Sequence, residues 1–202
     1  MPLIINPPSG NGKEYKLVPA GTWQAICNMI VDLGWQEVTY KGKTDIKPQI
    51  FVRWELPTER TDEINGVTQP LSIGRRYTNT FHEKGKLRQH LEAWRGRAFT
   101  PTELNNFDIF NLLGKCCQIS VKHVTGENGR TYANVEEVVA WPKGLKRPAT
   151  TEIGPLRYSP SEPQQLPDLP QWLRDKIASQ KQRPALPEAP AADTDLDDDI
   201  PF

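Results

Sequence analysis

Lys84-Gly85-Lys86-Leu87-Arg88-Gln89-His90-Leu91-Glu92-Ala93-Trp94-Arg95 is where the periodicity of this chain changes. Leu87, Leu91 and Trp94 stand at i, i+4 and i+7, which is one face of a helix. Everything upstream that is patterned alternates instead. Leu71 to Phe81 reads as a strand, and so does Gln49 to Leu56, where Ile50, Val52 and Trp54 alternate with Phe51, Arg53 and Glu55. Before them, Thr22 to Val31 and Trp35 to Tyr40 form one long bent strand with a bulge expected at Gly34. Downstream, Thr100 to Leu113 predicts a second helical stretch. Thr100 with Glu103 makes a capping box, Pro101 suits the first helical position, and Gly114 suits the C-cap. Cys116 to Thr125 and Thr131 to Ala140 then predict two strands, joined by a Gly-containing loop at 126–130.

The order is strand, strand, strand, helix, strand, strand. A five-stranded Greek-key barrel of the OB type has this order, with its helix between the third and fourth strands. The expected fold is mainly β: an OB-type barrel with a helical insertion between strands 3 and 4 and a disordered C-terminal tail. Other small β folds share the order.

Eleven of the 19 prolines fall at or after Pro142, which separates a body from a tail. Residues 1–145 are expected to form the barrel domain. Residues 146–182 read as a Pro-rich linker with a short amphipathic helix, since Leu169, Trp172, Leu173 and Ile177 have helical spacing. That island is too short to be a stable free helix, and packing back on the barrel is the expectation. Residues 183–202 read as a disordered acidic tail. The formal net charge of zero hides a division. From Arg183 to Phe202 there are six acids and one base, against 24 bases and 19 acids in residues 1–182. A body of about +5 carrying a tail of −5 suggests a nucleic-acid or surface interaction on one part and an interaction tail on the other. It also suggests that the tail competes with nucleic acid for one groove.

The chain closes on Asp197-Asp198-Asp199-Ile200-Pro201-Phe202. This resembles the acidic tip that terminates bacterial single-stranded DNA-binding proteins. The resemblance implies that these six residues dock replication, recombination and repair proteins. The Phe side chain would enter an apolar pocket while its carboxylate and the aspartates meet basic groups. Three runs of the body, Leu112-Leu113-Gly114-Lys115-Cys116-Cys117, Gly129-Arg130-Thr131-Tyr132-Ala133-Asn134-Val135 and Trp141-Pro142-Lys143-Gly144, look like a family of bacteriophage-encoded single-stranded DNA-binding proteins. That likeness spans roughly residues 20–145. It implies a protein that coats and protects single strands without strong sequence preference during phage replication and recombination, in the cytoplasm of a bacterial host. The body departs from the bacterial housekeeping version, so a tetramer is not carried over, and a homo-oligomer stays open. The rival reading is an adaptor that uses the tip to capture host replication proteins and binds no DNA.

A sequence-tolerant strand binder needs cations along the phosphates and aromatic faces under the bases. In OB folds these lie on strands two and three and on the loops joining strands one–two and four–five. The first loop offers Tyr40, Lys41, Lys43 and Lys47; strand two offers Phe51 and Arg53; strand three offers Arg75, Arg76 and Tyr77. The last hairpin offers Lys122, Arg130 and Tyr132, and Trp35 either stacks bases or caps the barrel. Phe51 and Tyr77 are open between platform and core. Arg75 and Arg76 point to opposite faces, so only one of them is expected to meet DNA.

Other chemistry is not expected. His82, His90 and His123 have no finger spacing with Cys27, Cys116 and Cys117, so no metal or other cofactor is implied. An odd, unframed cysteine count argues against a secreted disulfide fold. Glu136-Glu137 lacks the further carboxylates of a nuclease, and no enzyme is expected. Neither a signal peptide nor a membrane-spanning run is recognisable.

Overall fold

The computed structural model describes residues 16–40, 42–61, 67–126, 129–148 and 151–184. Its framework is a six-stranded sheet. The strands are β1 (Gly21–Tyr40), β2 (Lys43–Arg60), β3 (Pro70–Thr78), β4 (Cys116–Thr125), β5 (Thr131–Val139) and β6 (Leu156–Tyr158). The order is β3-β2-β1-β4-β5, with every neighbour antiparallel, and β6 adds to β1 in parallel.

The first strand organises the rest. Its opening residues Gly21–Ile26 pair with β4, and Ile26–Tyr40 pair with β2. Two register shifts interrupt the second pairing, between Cys27 and Met29 and between Asp32 and Gly34. Each bulge inserts a residue, bends the strand and swaps which side chains face inward. Gly34 adopts the left-handed region at φ 66°, which suits glycine. The bulge expected there is present. After the Asn28 bulge, Ala25, Cys27 and Ile30 face one core while Met29, Val31 and Leu33 face another.

The inner core lies between the sheet and α1 (Lys86–Arg95). Leu87, Leu91 and Trp94 of that helix are buried against Val52, Trp54, Ile73, Ile119 and Val138. The Trp94 indole donates to the Cys116 carbonyl at 2.9 Å, and Ala140 N–H donates to Ala93 O at 3.1 Å, so the helix is tied to both following strands. The second helical stretch is shorter than the periodicity suggests. α2 covers only Pro101–Asn106, with the capping box formed, and the chain turns extended at Phe107. Asp108 then caps a separate 3-10 turn, Ile109–Leu112, by accepting from Phe110 N–H at 2.9 Å. The local Asp cap competes with continuation of the helix.

Residues 146–182, read from the sequence as a linker, contribute to the fold. β6 extends the sheet edge that β4 leaves, and α3 (Gln171–Ala178) lies across the outer face. Leu169, Leu173 and Ile177 are buried there with Met29, Val31, Leu33, Phe51 and Tyr158, forming a second apolar core. The amphipathic island thus packs back, as its spacing implied. A polar latch fixes the same segment. The buried Glu55 carboxylate accepts the backbone N–H groups of Glu152 (2.8 Å) and Ile153 (2.9 Å) and the Asn28 amide (3.3 Å). Asn28 also donates to the Ile153 carbonyl at 3.0 Å, and Arg60 clasps Glu152 through two 2.7 Å bonds at the rim.

Candidate nucleic-acid interface

Strand parity and the bulges distribute the predicted residues over three places. Val52 pairs with Arg75 and Ile50 with Tyr77, so both β3 residues share the inner face. Tyr77 is 4% exposed, and its hydroxyl bonds His90 Nδ1 at 2.8 Å. His90 Nε2 reaches the Glu136 carbonyl at 3.0 Å, and a carbonyl only accepts, so Nε2 carries the proton and Nδ1 accepts from Tyr77. Burial and the neighbouring Arg75 cation pull the imidazole down to about 4. The Arg75 guanidinium donates to the Val135 carbonyl and lies over the Tyr77 ring, 5.6 Å from its centroid. Tyr77 is therefore a core residue and no stacking platform. Arg75 bridges β3 to β5 and is spent on the fold.

Phe51, Arg53 and Arg76 share the outer face, since Phe51 pairs with Arg76 and Arg53 with Gly74. This face is the one that α3 covers. Phe51 is 1% exposed and meets the Trp172 ring edge-on at 5.1 Å, so it too is core. A Cβ on Gly74 would sit 2.2 Å from the Phe51 ring, so the glycine makes the room that Phe51 occupies. Arg53 donates through Nε to Asn28 Oδ1 at 3.0 Å. Burial lowers its pKa and the nearby Glu55 carboxylate opposes that shift. Arg53 belongs to the latch and does not face a strand. Arg76 sits at the flank of α3, and burial lowers its pKa with no acceptor opposing it. Of the two adjacent arginines, Arg76 alone is placed to meet an external anion.

Of the remaining predicted residues that the structure describes, the cations are exposed and the rings half-buried. Lys43 and Lys47 are exposed, Lys47 with Asp45 at 3.1 Å. Trp35 is half-buried. Its carbonyl accepts from Lys181 N–H at 2.7 Å, and the Arg183 guanidinium stands 5.6 Å from its ring centroid. On the last hairpin, Val124 pairs with Tyr132 and Lys122 with Asn134, which puts Lys122 and Tyr132 on one face beside the exposed Val124. Arg130 is exposed at the end of this hairpin, and both Arg130 and Tyr132 make contacts within the chain. The two groups do not adjoin along β1. Gly21 pairs with Val121 and Tyr40 with Lys43, so the two turns leave from opposite ends of that strand. Lys41 and the residues Asp197 to Phe202, expected from the resemblance to dock partners, lie outside the described residues, and so does the side chain of Tyr40.

Sequence reasoning missed the Asn28–Arg53–Glu55 group. Its signal is two opposite charges in alternate positions of an otherwise apolar strand. A cavity of about 220 Å³ also opens beside α1, lined by Phe81, Phe107, Phe110, Asp32 and Asp108. Among the described residues no group of three or more His, Cys, Asp or Glu is placed to hold a metal ion. No helix of the described residues is long and apolar enough to cross a membrane. No family model matches the chain, and no curated protein matches its sequence.

Proposed function

We propose that the chain is a single-stranded DNA-binding protein built on an OB-type barrel. It coats and protects strands without strong sequence preference during phage replication and recombination, and it recruits partners through its acidic tip. One observation carries the reading. The sheet runs β3-β2-β1-β4-β5, α1 intervenes between β3 and β4, and Arg75 of β3 reaches the Val135 carbonyl of β5. An OB barrel has that path, helix position and closure, and such barrels receive single strands. The exposed cations Lys43, Lys47, Lys122 and Arg130, with the half-buried Arg76, carry the charge that phosphates require.

A second reading has its own observation. In OB folds the face of strands two and three takes the oligonucleotide, and here α3 covers Phe51 of β2 together with the outer face of β1. An adaptor that captures replication proteins through the tip and binds no strand fits such a covered barrel. Anisotropy of a labelled 30-nucleotide oligo(dT), titrated at two salt concentrations with a duplex control, separates the two. Strand binding that weakens with salt supports the first reading, because phosphate contacts release counterions. No binding at low salt, with or without residues 185–202, leaves the adaptor.

A further inference from the structure

The row of side chains beside α3 on the outer face is unlike the rest of that face. Next to the apolar cover stand Arg76 and Thr78 of β3 and Gln49 of β2, which pairs with Thr78. Across the helix margin stands Lys176, whose own carbonyl is held by the Gln36 side chain at 3.0 Å. Phe51, the register partner of Arg76, meets the Trp172 ring, and Lys176 stands one turn further along α3, so the two cations flank one seam. Burial lowers the pKa of both, and the Arg76 charge adds to the lowering at Lys176. Glu37 is the one carboxylate that acts on Lys176, and it is shared with Lys181 at 4.0 Å. No hydrogen bond or ion pair to a described residue holds the Arg76 guanidinium or the Lys176 ammonium. Two partly desolvated like charges held side by side cost folding free energy unless an anion joins them.

We propose that Arg76 and Lys176 form a phosphodiester site at the seam between α3 and the sheet, so that a single strand runs along the margin of α3 and not across the covered face. The inference rests on the strand-binding reading above and names its path. The planar guanidinium presents paired donors to two phosphate oxygens, and the ammonium supplies a point charge. Beyond the C-terminal end of α3 the seam leads to Trp35, whose ring already carries the Arg183 guanidinium. A base stacked on Trp35 would take the place of that guanidinium and leave it to a neighbouring phosphate.

The test compares the full chain with Arg76→Gln/Lys176→Gln and with a control pair of exposed lysines at the start of α1, Lys84→Gln/Lys86→Gln, by oligo(dT) anisotropy across a salt series. Losing two phosphate contacts to a single strand should flatten the slope of log K against log salt by about 1.4 and weaken binding on the order of 25-fold at 0.1 M salt. The single variant Lys176→Glu guards against a folding artefact. It hands Arg76 an acid, so its urea midpoint should stay or rise while its affinity falls. Unchanged affinity and slope in the seam variants, with the wild type binding, overturn the seam and leave the strand-binding reading intact. A wild-type chain that binds no strand overturns both.

Discussion

The latch makes a quantitative claim about Glu55. Its buried carboxylate accepts two backbone N–H groups and the Asn28 amide, and its charge acts on the half-buried Arg53. Glu55→Ala strips all of these at once. Each bond to a charged group contributes about 1.5–3 kcal/mol, and the losses are not additive. Removing the carboxylate also leaves three part-buried donors without an acceptor, each at a cost of about 1–3 kcal/mol. The expected loss is therefore about 3–5 kcal/mol of global stability, read from urea unfolding by tryptophan fluorescence. Glu55→Gln keeps an acceptor and should cost about half as much. Native-state hydrogen exchange localises the effect: the amides of Glu152 and Ile153 and those of β6 should lose protection before the rest of the sheet. The double change Arg53→Met/Glu55→Leu should recover only a small part of the loss, since it removes the Arg53 charge but leaves the Glu152 and Ile153 N–H groups without an acceptor. If Glu55→Ala costs under about 1 kcal/mol and those amides exchange as in the wild type, the latch does not hold the segment.

Three further outcomes follow from named groups. Unfolded His90 takes up its proton near pH 6.5 and the folded imidazole only near 4, so the unfolded state binds more protons between them. Stability should be kept above pH 6.5 and fall by up to about 3 kcal/mol as pH drops through that window, and His90→Gln should flatten the slope. Cys27 and Cys117 are fully buried, and burial pushes the Cys27 thiol up to about 12, so native alkylation read by mass spectrometry should label Cys116 alone. Finally, removing residues 185–202 takes away six acids, which should tighten oligo(dT) binding at low salt and change little at high salt; equal affinity at low salt would argue against a tail that competes for the cations.

The elements were legible because their periods differ. Alternation marked β2, the Gly-containing loop between two strand-like runs marked the β4–β5 hairpin, and the spacing of Leu87, Leu91 and Trp94 marked α1. Capping chemistry marked the start of α2, but the Asp108 cap that ends the helical run read as part of it. The faces were less legible. Alternation from Ala25 and Cys27 would carry Met29 inward; the extra residue at Asn28 sends it outward and brings Ile30 in. Phe51 and Tyr77 looked like platforms because nothing in the sequence says which ring lies beneath another element. Both are covered, one by α3 and one by α1. Arg75 and Arg76 do point to opposite faces, Arg75 inward and the half-buried Arg76 outward at the flank of α3.

What α3 covers argues about how a strand would bind. Met29, Val31, Leu33 and Phe51 make the outer face of the sheet apolar before any helix is added. Laid bare, they would form a contiguous apolar patch of the kind that drives association. A face selected to exchange helix for nucleic acid would carry exposed cations between its rings, because phosphates cannot be met by methionine and leucine. The one cation facing outward beneath the cover, Arg53, is already committed to Asn28 and balanced by Glu55. The cover is therefore part of the fold and not a gate. On the strand-binding reading, the cationic groups left for phosphates are those at the margin of α3, at the β1–β2 turn and on the β4–β5 hairpin. The two turns leave from opposite ends of β1, so a strand touching both would wrap the bent strand and not cross the flat of the sheet.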